Sequence, residues 1–324
     1  MSLCPIACSF RGEEILHSLD RVLVTGAHGV IGRAVVSLLR SQGRDVVEVG
    51  SDAADLRRLD EADRLMVEFQ PTSIIHLAAR VHGLMGNVGR QGDMFFDNLQ
   101  INSNVIDAGR RAGVSKIVAM GSVAVYSDTV DLPIRESDFW AGPPHASEFG
   151  YGHAKRAMLA QLESYQDQFG MDFAFAVSTN LFGPNDRFDE VQGHVLPSLL
   201  SKFYRAVQQG GPVSVWGTGR ATRDFLFSYD AAQALVRLLD SGSGVYNVAS
   251  GSDVTIRELV ELLVEVTGFD DVIEWDASKP DGQAARAYDI TRIAALGWAP
   301  QYQLADALAL TYRWYEANVD SVRR

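Results

Sequence analysis

The chain has 324 residues, 47% hydrophobic and 22% charged, a composition that excludes a disordered or collagen-like architecture. At ~100–200 residues per domain, this is two domains or one large α/β unit with an insert. Lys and Arg total 29 against 41 Asp and Glu; the net charge of −12 argues against phosphate-backbone binding, and no nucleic-acid partner is expected.

The only cysteines are Cys4 and Cys8. They make no disulfide framework and point to a reducing, cytoplasmic setting. With no later Cys/His pair behind them, no metal site is expected. No run approaches the ~18 apolar residues that span a bilayer, so no membrane association is expected. The apolar stretch 3–10 lacks a basic flank and is followed by Arg11, Glu13 and Glu14. Residues 1–19 are therefore expected to form a leader rather than a signal peptide.

The next stretch, RVLVTGAHGVIGRAVVSLLRSQGRDVVEVGSD, predicts a buried strand over 22–24 and a helix carrying Ile31, Val35, Leu38 and Leu39. Gly43 stands where that helix would end, before a second strand over 46–49. This is one βαβ crossover of about 30 residues. Strands over 73–79, 116–121 and 173–178 then alternate with helices over 95–112 and 151–169. Strands alternating with helices imply a doubly wound parallel sheet. After Asn180 turn signals crowd in, including Gly183-Pro184, Gly210-Gly211-Pro212 and Gly217-Thr218-Gly219. Helical spacing returns over 229–239, 255–267 and 305–319, with a strand over 245–249. The expected division is a nucleotide-binding unit of 20–180 and 222–250, with a smaller discontinuous unit of 181–221 and 251–324.

Gly26, Gly29 and Gly32 lie between the first strand and helix, where the backbone must turn tightly beneath a pyrophosphate held by the free N–H groups of the helix. Asp52 lies 20 residues after Gly32, a spacing that suits the ribose 2′-OH of NAD; Glu48 stands nearer the strand end by pattern. Arg33, Arg57 and Arg58 are cations that could instead serve the 2′-phosphate of NADP, and the choice stays open. Asp55, followed by Leu56, could accept from the adenine amino group. Tyr151 and Lys155, four apart, share one helix face. A nearby ammonium favours the phenolate. Ser122 follows a strand end, where open α/β sheets bind ligands, and can hydrogen-bond a substrate carbonyl that Tyr151 protonates.

Together, strand-TGxxGxxG-helix, Leu77-Ala78-Ala79, Gly121-Ser122 and Tyr151-x-x-x-Lys155 resemble the extended short-chain dehydrogenase/reductases, and within them the GDP-L-fucose synthases. The finer likeness runs through HLAARVHGLMGN (76–87), MGSVAVYSD (120–128), GYGHAKR (150–156), TNLFGPND (179–186), GHVLP (193–197), VWGTGRATRDFL (215–226) and KPDGQ (279–283). The resemblance implies an NAD(P)-binding domain with a small substrate domain and a nucleotide-linked 4-keto sugar as substrate. It also implies a homodimer paired through the helices over 95–112 and 151–169. Gly26, His28, Gly29, Val30, Ile31, Gly32, Asp52, Asp55, Leu56 and Leu77 to Ala79 are the cofactor contacts it implies, with Tyr151 and Lys155. Ser122, Tyr151 and Lys155 would be the hydride-transfer triad, with His194 the other catalytic group. Asn180, Val195, Lys202, Trp216, Arg223, Lys279 and Asp281 would line the substrate pocket, Arg223 by clamping the diphosphate.

Two departures matter. His28 stands where several members carry Arg, and Asp52 where a basic residue is common, so the cofactor is expected to be NADP(H) or NAD(H). The family's epimerisation at C3 and C5 uses a cysteine two residues after the triad serine and a histidine; here they are Ala124 and His194. His82 is expected to reshape the pocket or to replace the lost proton donor. The sequence thus predicts a C4-ketoreductase of a nucleotide-linked, GDP-type 4-keto-6-deoxy sugar with little or no epimerisation. A bifunctional 3,5-epimerase/4-reductase, a 4-epimerase or 4-oxidase, and a non-catalytic NAD(P)-binding regulator are the alternatives.

Overall fold

The computed structural model describes residues 20–81, 89–190, 193–279 and 285–322. Cys4, Cys8, His82 and Asp281 lie outside them. The first crossover runs from β1 (Arg21–Thr25) through α1 (Val30–Ser41) to β2 (Asp45–Val49). The next passes through α2 (Leu59–Phe69) to β3 (Ser73–His76), and α3 (Gln91–Arg111) leads to β4 (Lys116–Met120). Then come α4 (Phe149–Phe169), β5 (Asp172–Ser178) and β6 (Asn180–Phe182). The remaining elements are α5 (Val195–Gln209), β7 (Val213–Trp216), β8 (Thr222–Phe227), α6 (Ser228–Ser241), β9 (Gly244–Val248), β10 (Asp253–Thr255), α7 (Ile256–Thr267), β11 (Ile273–Asp276), α8 (Thr291–Ala294) and α9 (Leu304–Asn318).

Six strands form one sheet in the order β2-β1-β3-β4-β5-β9, every neighbouring pair parallel. Strands buried on both faces read as continuous apolar runs, which is why Val22 to Val24 and Ile117 to Ala119 show no alternation. On one face α2, α3 and α4 bury Leu65, Met66, Val105, Ile106, Met158 and Leu162. On the other, α1 and α6 bury Val35, Leu39, Leu235 and Leu238. A third core gathers Leu199, Phe203, Leu259, Leu263, Leu308 and Tyr312 from α5, α7 and α9 against β7 and β8. Tyr288, Ile293 and Trp298, from a segment expected in the smaller unit, pack instead into the two cores of the large sheet.

Beyond the short elements β6, β7, β8, β10, β11 and α8, which the sequence did not predict, local structure differs from the sequence expectation in three places. The helix α2 was not expected: its segment is charged, and its buried face is only Ala62, Leu65 and Met66. The strand expected over 73–79 stops at His76, because Thr25 Oγ1 accepts from the N–H groups of Leu77 and Ala78, each at 3.2 Å. Among the turn signals after Asn180, α5 is a full amphipathic helix burying Leu196, Leu199, Leu200 and Phe203.

Chain direction across the sheet reverses between β1 and β3, since β2 lies to one side of β1 and β3 to the other. The crevice at this switch point, outside the carboxyl ends of the strands, is where open α/β sheets bind ligands. Gly26, His28, Leu77 and Ser122 all follow strand ends on that edge.

Candidate active site

Ser122 ends the approach from β4. Its extended backbone caps the short 3-10 turn Val123–Val125, and its Oγ accepts from Ala124 N at 3.2 Å. No side chain fits at Gly121, where a Cβ would run into the Phe175 ring. Tyr151 lies in the first turn of α4 and hydrogen-bonds Ser122. Its close surroundings push the phenol pKa up, chiefly by desolvation and further by the Glu148 carboxylate, so Tyr151 holds its proton. One turn on, Lys155 is buried and its Nζ donates to Met120 O at 2.8 Å. That ammonium lies 5.8 Å from the Tyr151 ring centre. Burial lowers Lys155 to about 7.

The glycine-rich turn forms a cradle with no room for side chains. Gly26 has φ +67° and lies so close to β3's exit that a Cβ would come 2.8 Å from Ala78 N. A Cβ at Gly32 would run into Gly26 O and the Ala27 backbone. Gly29 caps α1 without a side-chain partner, and the first turn carries no acid, so its N–H groups face the crevice without competition from carboxylates. Val30 opens the helix, while Ile31 is buried in the core and serves the cradle only through backbone. Leu77, Ala78 and Ala79 border it, half-buried. These features fit a dinucleotide pyrophosphate. Past the end of β2, Asp52 Oδ1 lies 3.3 Å from His28 Nδ1. Leu56 is buried, and the Asp55 carboxylate is held by Arg57 at 2.7 Å, which lowers it to about 2. Glu48 pairs with Arg40 of α1, away from the cradle.

Beneath the cradle lies a buried polar chain that sequence reasoning missed. His76 Nδ1 lies 2.8 Å from Thr25 Oγ1 and its Nε2 3.1 Å from Asn102 Oδ1. Asn102 Oδ1 can only accept, which assigns the proton to Nε2 and makes the Thr25 hydroxyl the donor to Nδ1. Burial, aided by the Lys155 charge, lowers His76 to about 3, so the ring stays neutral. Glu148 was missed too. It precedes Tyr151 by one helical turn; burial raises its pKa, while Arg286, His145 and Arg223 oppose the rise.

In the smaller unit, Lys202 and Lys279 place their ammonium groups 5.8 Å and 5.6 Å from the ring of the partly exposed Trp216. Lys202 also donates to Ser214 O at 3.1 Å. Asn180 Nδ2 donates to Asp224 O at 2.9 Å, binding β6 to β8 next to Arg223. The Asp224 carboxylate accepts from the N–H groups of Ser250 and Gly251, each at 2.9 Å. Arg223 is half-buried, and its Nη1 donates to Thr222 O at 2.6 Å. His194 caps α5 and Val195 opens it, both exposed; protein packed around the imidazole lowers its pKa. Ala124 is buried beside Ser122.

Residues 22–249 match the model of the NAD dependent epimerase/dehydratase family. The chain belongs to this family. Among members of the epimerase/dehydratase family, GDP-L-fucose synthase 1 of Arabidopsis thaliana is 38% identical over 315 residues, covering 95% of this chain and 98% of its own. A GDP-L-fucose synthetase from Naegleria fowleri, solved bound to NADP, superposes with TM-score 0.86 at 30% identity over 94% of this chain and 97% of that one. The GDP-mannoheptose C4 reductase MlghC from Campylobacter jejuni, also with NADP bound, gives 0.83 at 25% identity over 92% and 98%. The fold is that of the extended short-chain dehydrogenase/reductases, and the chain is an NAD(P)-dependent oxidoreductase of the GDP-sugar reductase and epimerase group.

Proposed function

We propose that this chain reduces the C4 ketone of a GDP-linked 4-keto-6-deoxy sugar with little or no 3,5-epimerisation. The observation that carries the reading is the assembled Ser122, Tyr151 and Lys155 group with Ala124 buried beside it. A bound reduced nicotinamide supplies a hydride to C4. Ser122 aligns the carbonyl, and Tyr151 donates its proton to the oxygen as negative charge develops there. In its protonated form Lys155, fixed to Met120 O, places a cation beside the phenol and stabilises the phenolate left behind.

Epimerisation needs a proton exchanger on each face of the ring, because the C3 and C5 protons are acidified by the neighbouring ketone. The methyl group of Ala124 cannot exchange a proton. His194 remains as a neutral imidazole, and the relatives named GDP-L-fucose synthase favour, as a second reading, a bifunctional epimerase/reductase.

In this reading the sugar nucleotide lies between the carboxyl edge of the large sheet and the unit built on α5, α7 and α9. Trp216 with its two lysines and Arg223 face its nucleotide and diphosphate. The reading also takes the protein as a cytoplasmic homodimer paired through α3 and α4, which leave Phe96 and Phe149 exposed. Among the described residues no helix is long and apolar enough to cross a membrane.

The reaction run in D2O with reduced cofactor and a GDP-4-keto-6-deoxyhexose tests the reading. Cofactor consumption with hydrogen retained at C3 and C5 is expected. Deuterium at either carbon would favour the bifunctional enzyme, and no cofactor consumption would remove the reductase reading.

A further inference from the structure

Past the end of β2 the chain turns through Gly50 and Ser51 to Asp52, whose carboxylate stands beside the glycine-rich turn. His28 and Asp52 are both open to solvent, with side chains 47% and 75% exposed, yet face each other across 3.3 Å. A Cβ at Gly50 would meet the ends of both side chains, which shows how closely the end of β2 and the glycine-rich turn approach. A pyrophosphate seated on the N-terminus of α1 brings the adenosine ribose to the carboxyl end of the second strand. A carboxylate there accepts from a ribose 2′-hydroxyl and repels a 2′-phosphate.

The nearby cations do not offset that charge. Arg57 lies 2.7 Å from Asp55 and 3.7 Å from Asp97, and Arg58 lies 2.6 Å from Asp60. Arg40 is paired with Glu48. Arg33 is exposed early in α1.

We infer, on the basis of the dinucleotide-dependent reading above, that Asp52, steadied by His28, makes this chain bind NAD(H) in preference to NADP(H). Asp52 accepts from the ribose 2′-hydroxyl. His28 lies against that carboxylate at 3.3 Å, on the side of the glycine-rich turn.

Titrating NADH and NADPH separately into the full chain without substrate, followed by calorimetry or nicotinamide fluorescence, tests the inference by binding alone. NADH is expected to bind tighter by about tenfold or more. Asp52→Asn should narrow or reverse that gap, chiefly by strengthening NADPH. Arg33→Ala should leave the lead of NADH intact. Equal or tighter binding of NADPH by the unaltered chain overturns the inference while leaving the reductase reading standing. So does an Asp52→Asn variant with an unchanged preference. Failure of both dinucleotides to bind overturns the inference and the dinucleotide-dependent reading together.

Discussion

Lys155 Nζ donates to Met120 O across 2.8 Å, tying the helix that carries Tyr151 to the last residue of the strand that delivers Ser122. The register of Tyr151 against Ser122 is thereby held by a buried side chain, which Arg156 assists one residue on by donating its Nε to Val125 O at 2.9 Å. Had Lys155 been an exposed cation, the spacing of Tyr151 and Lys155 on one helix face would carry no such coupling.

That burial predicts a pH-dependent stability. The folded pKa of Lys155 is lowered from 10.5 to about 7. Between those values the unfolded chain holds a proton that the folded chain lacks, so this group's contribution to stability rises with pH. Below pH 7 both states are protonated and the cost of burying the ammonium is fully present. Lys155→Met removes this dependence and leaves the loss of the Met120 bond as a constant offset. The melting temperature of the variant relative to wild type should therefore be highest near pH 6 and fall towards pH 9. A difference that stays the same at both pH values would show that Lys155 is not titrating near neutrality.

Tyr151→Phe keeps the ring and removes the proton donor. Reduction should fall by ~10²–10⁴-fold. Affinity for the dinucleotide, measured by direct titration, should change little, because the cradle is backbone of the glycine-rich turn. A parallel collapse of binding and turnover would place Tyr151 in the scaffold rather than in proton transfer.

Gly32→Ala puts a methyl group into Gly26 O and the Ala27 backbone. The obstacle is main chain on both sides, so it cannot swing away as a flexible side chain would. The variant should lose about 1–3 kcal/mol of stability in denaturant unfolding. Its dinucleotide affinity should fall as well, since the turn must open where the pyrophosphate approaches. Gly43, past the end of α1, meets nothing within 4 Å, but its φ of +75° still disfavours a side chain. A control there separates backbone strain from closure of the cradle.

What was legible in the sequence was local. The glycine-rich turn, the Tyr151 and Lys155 pair and Ser122 past a strand are encoded within a few residues, because their physics is a tight turn, a helical face and a strand end. The Thr25, His76 and Asn102 chain spans separations of 51 and 26 residues and needs the β1 and β3 pairing before it exists. Its effect was still visible as an error, the strand expected to run through Ala79. The stripe of helix α2, with Ala62, Leu65, Met66 and the half-buried Phe69 at helical spacing, was present in the sequence but lies among five charged side chains. Trp216 was placed near the substrate by resemblance, whereas its approach to Lys279 follows from the parallel pairing of β7 with β11, which brings Asp276 opposite Trp216, and Lys202 reaches it from α5 through Ser214 O.

Ala124 offers the sharpest test of how the site divides its chemistry. It is 4% exposed, and its N–H is committed to Ser122 Oγ, so its side chain direction is fixed by the same turn that positions the carbonyl-binding hydroxyl. Cysteine adds one sulfur atom and a group that can exchange a proton, without disturbing that backbone bond. Ala124→Cys, run in D2O with reduced cofactor, should introduce deuterium next to the C4 ketone that wild type does not. Adding His194→Asn to Ala124→Cys should abolish inversion at C3 and C5, because removal on one face needs delivery on the other, while a single remaining base still exchanges a proton on its own face. Reduction itself should persist in both variants, since Ser122, Tyr151 and Lys155 are untouched. If Ala124→Cys yields product free of deuterium while still reducing the ketone, the missing thiol is not what separates this chain from a bifunctional epimerase/reductase, and the shape of the sugar pocket must be the cause.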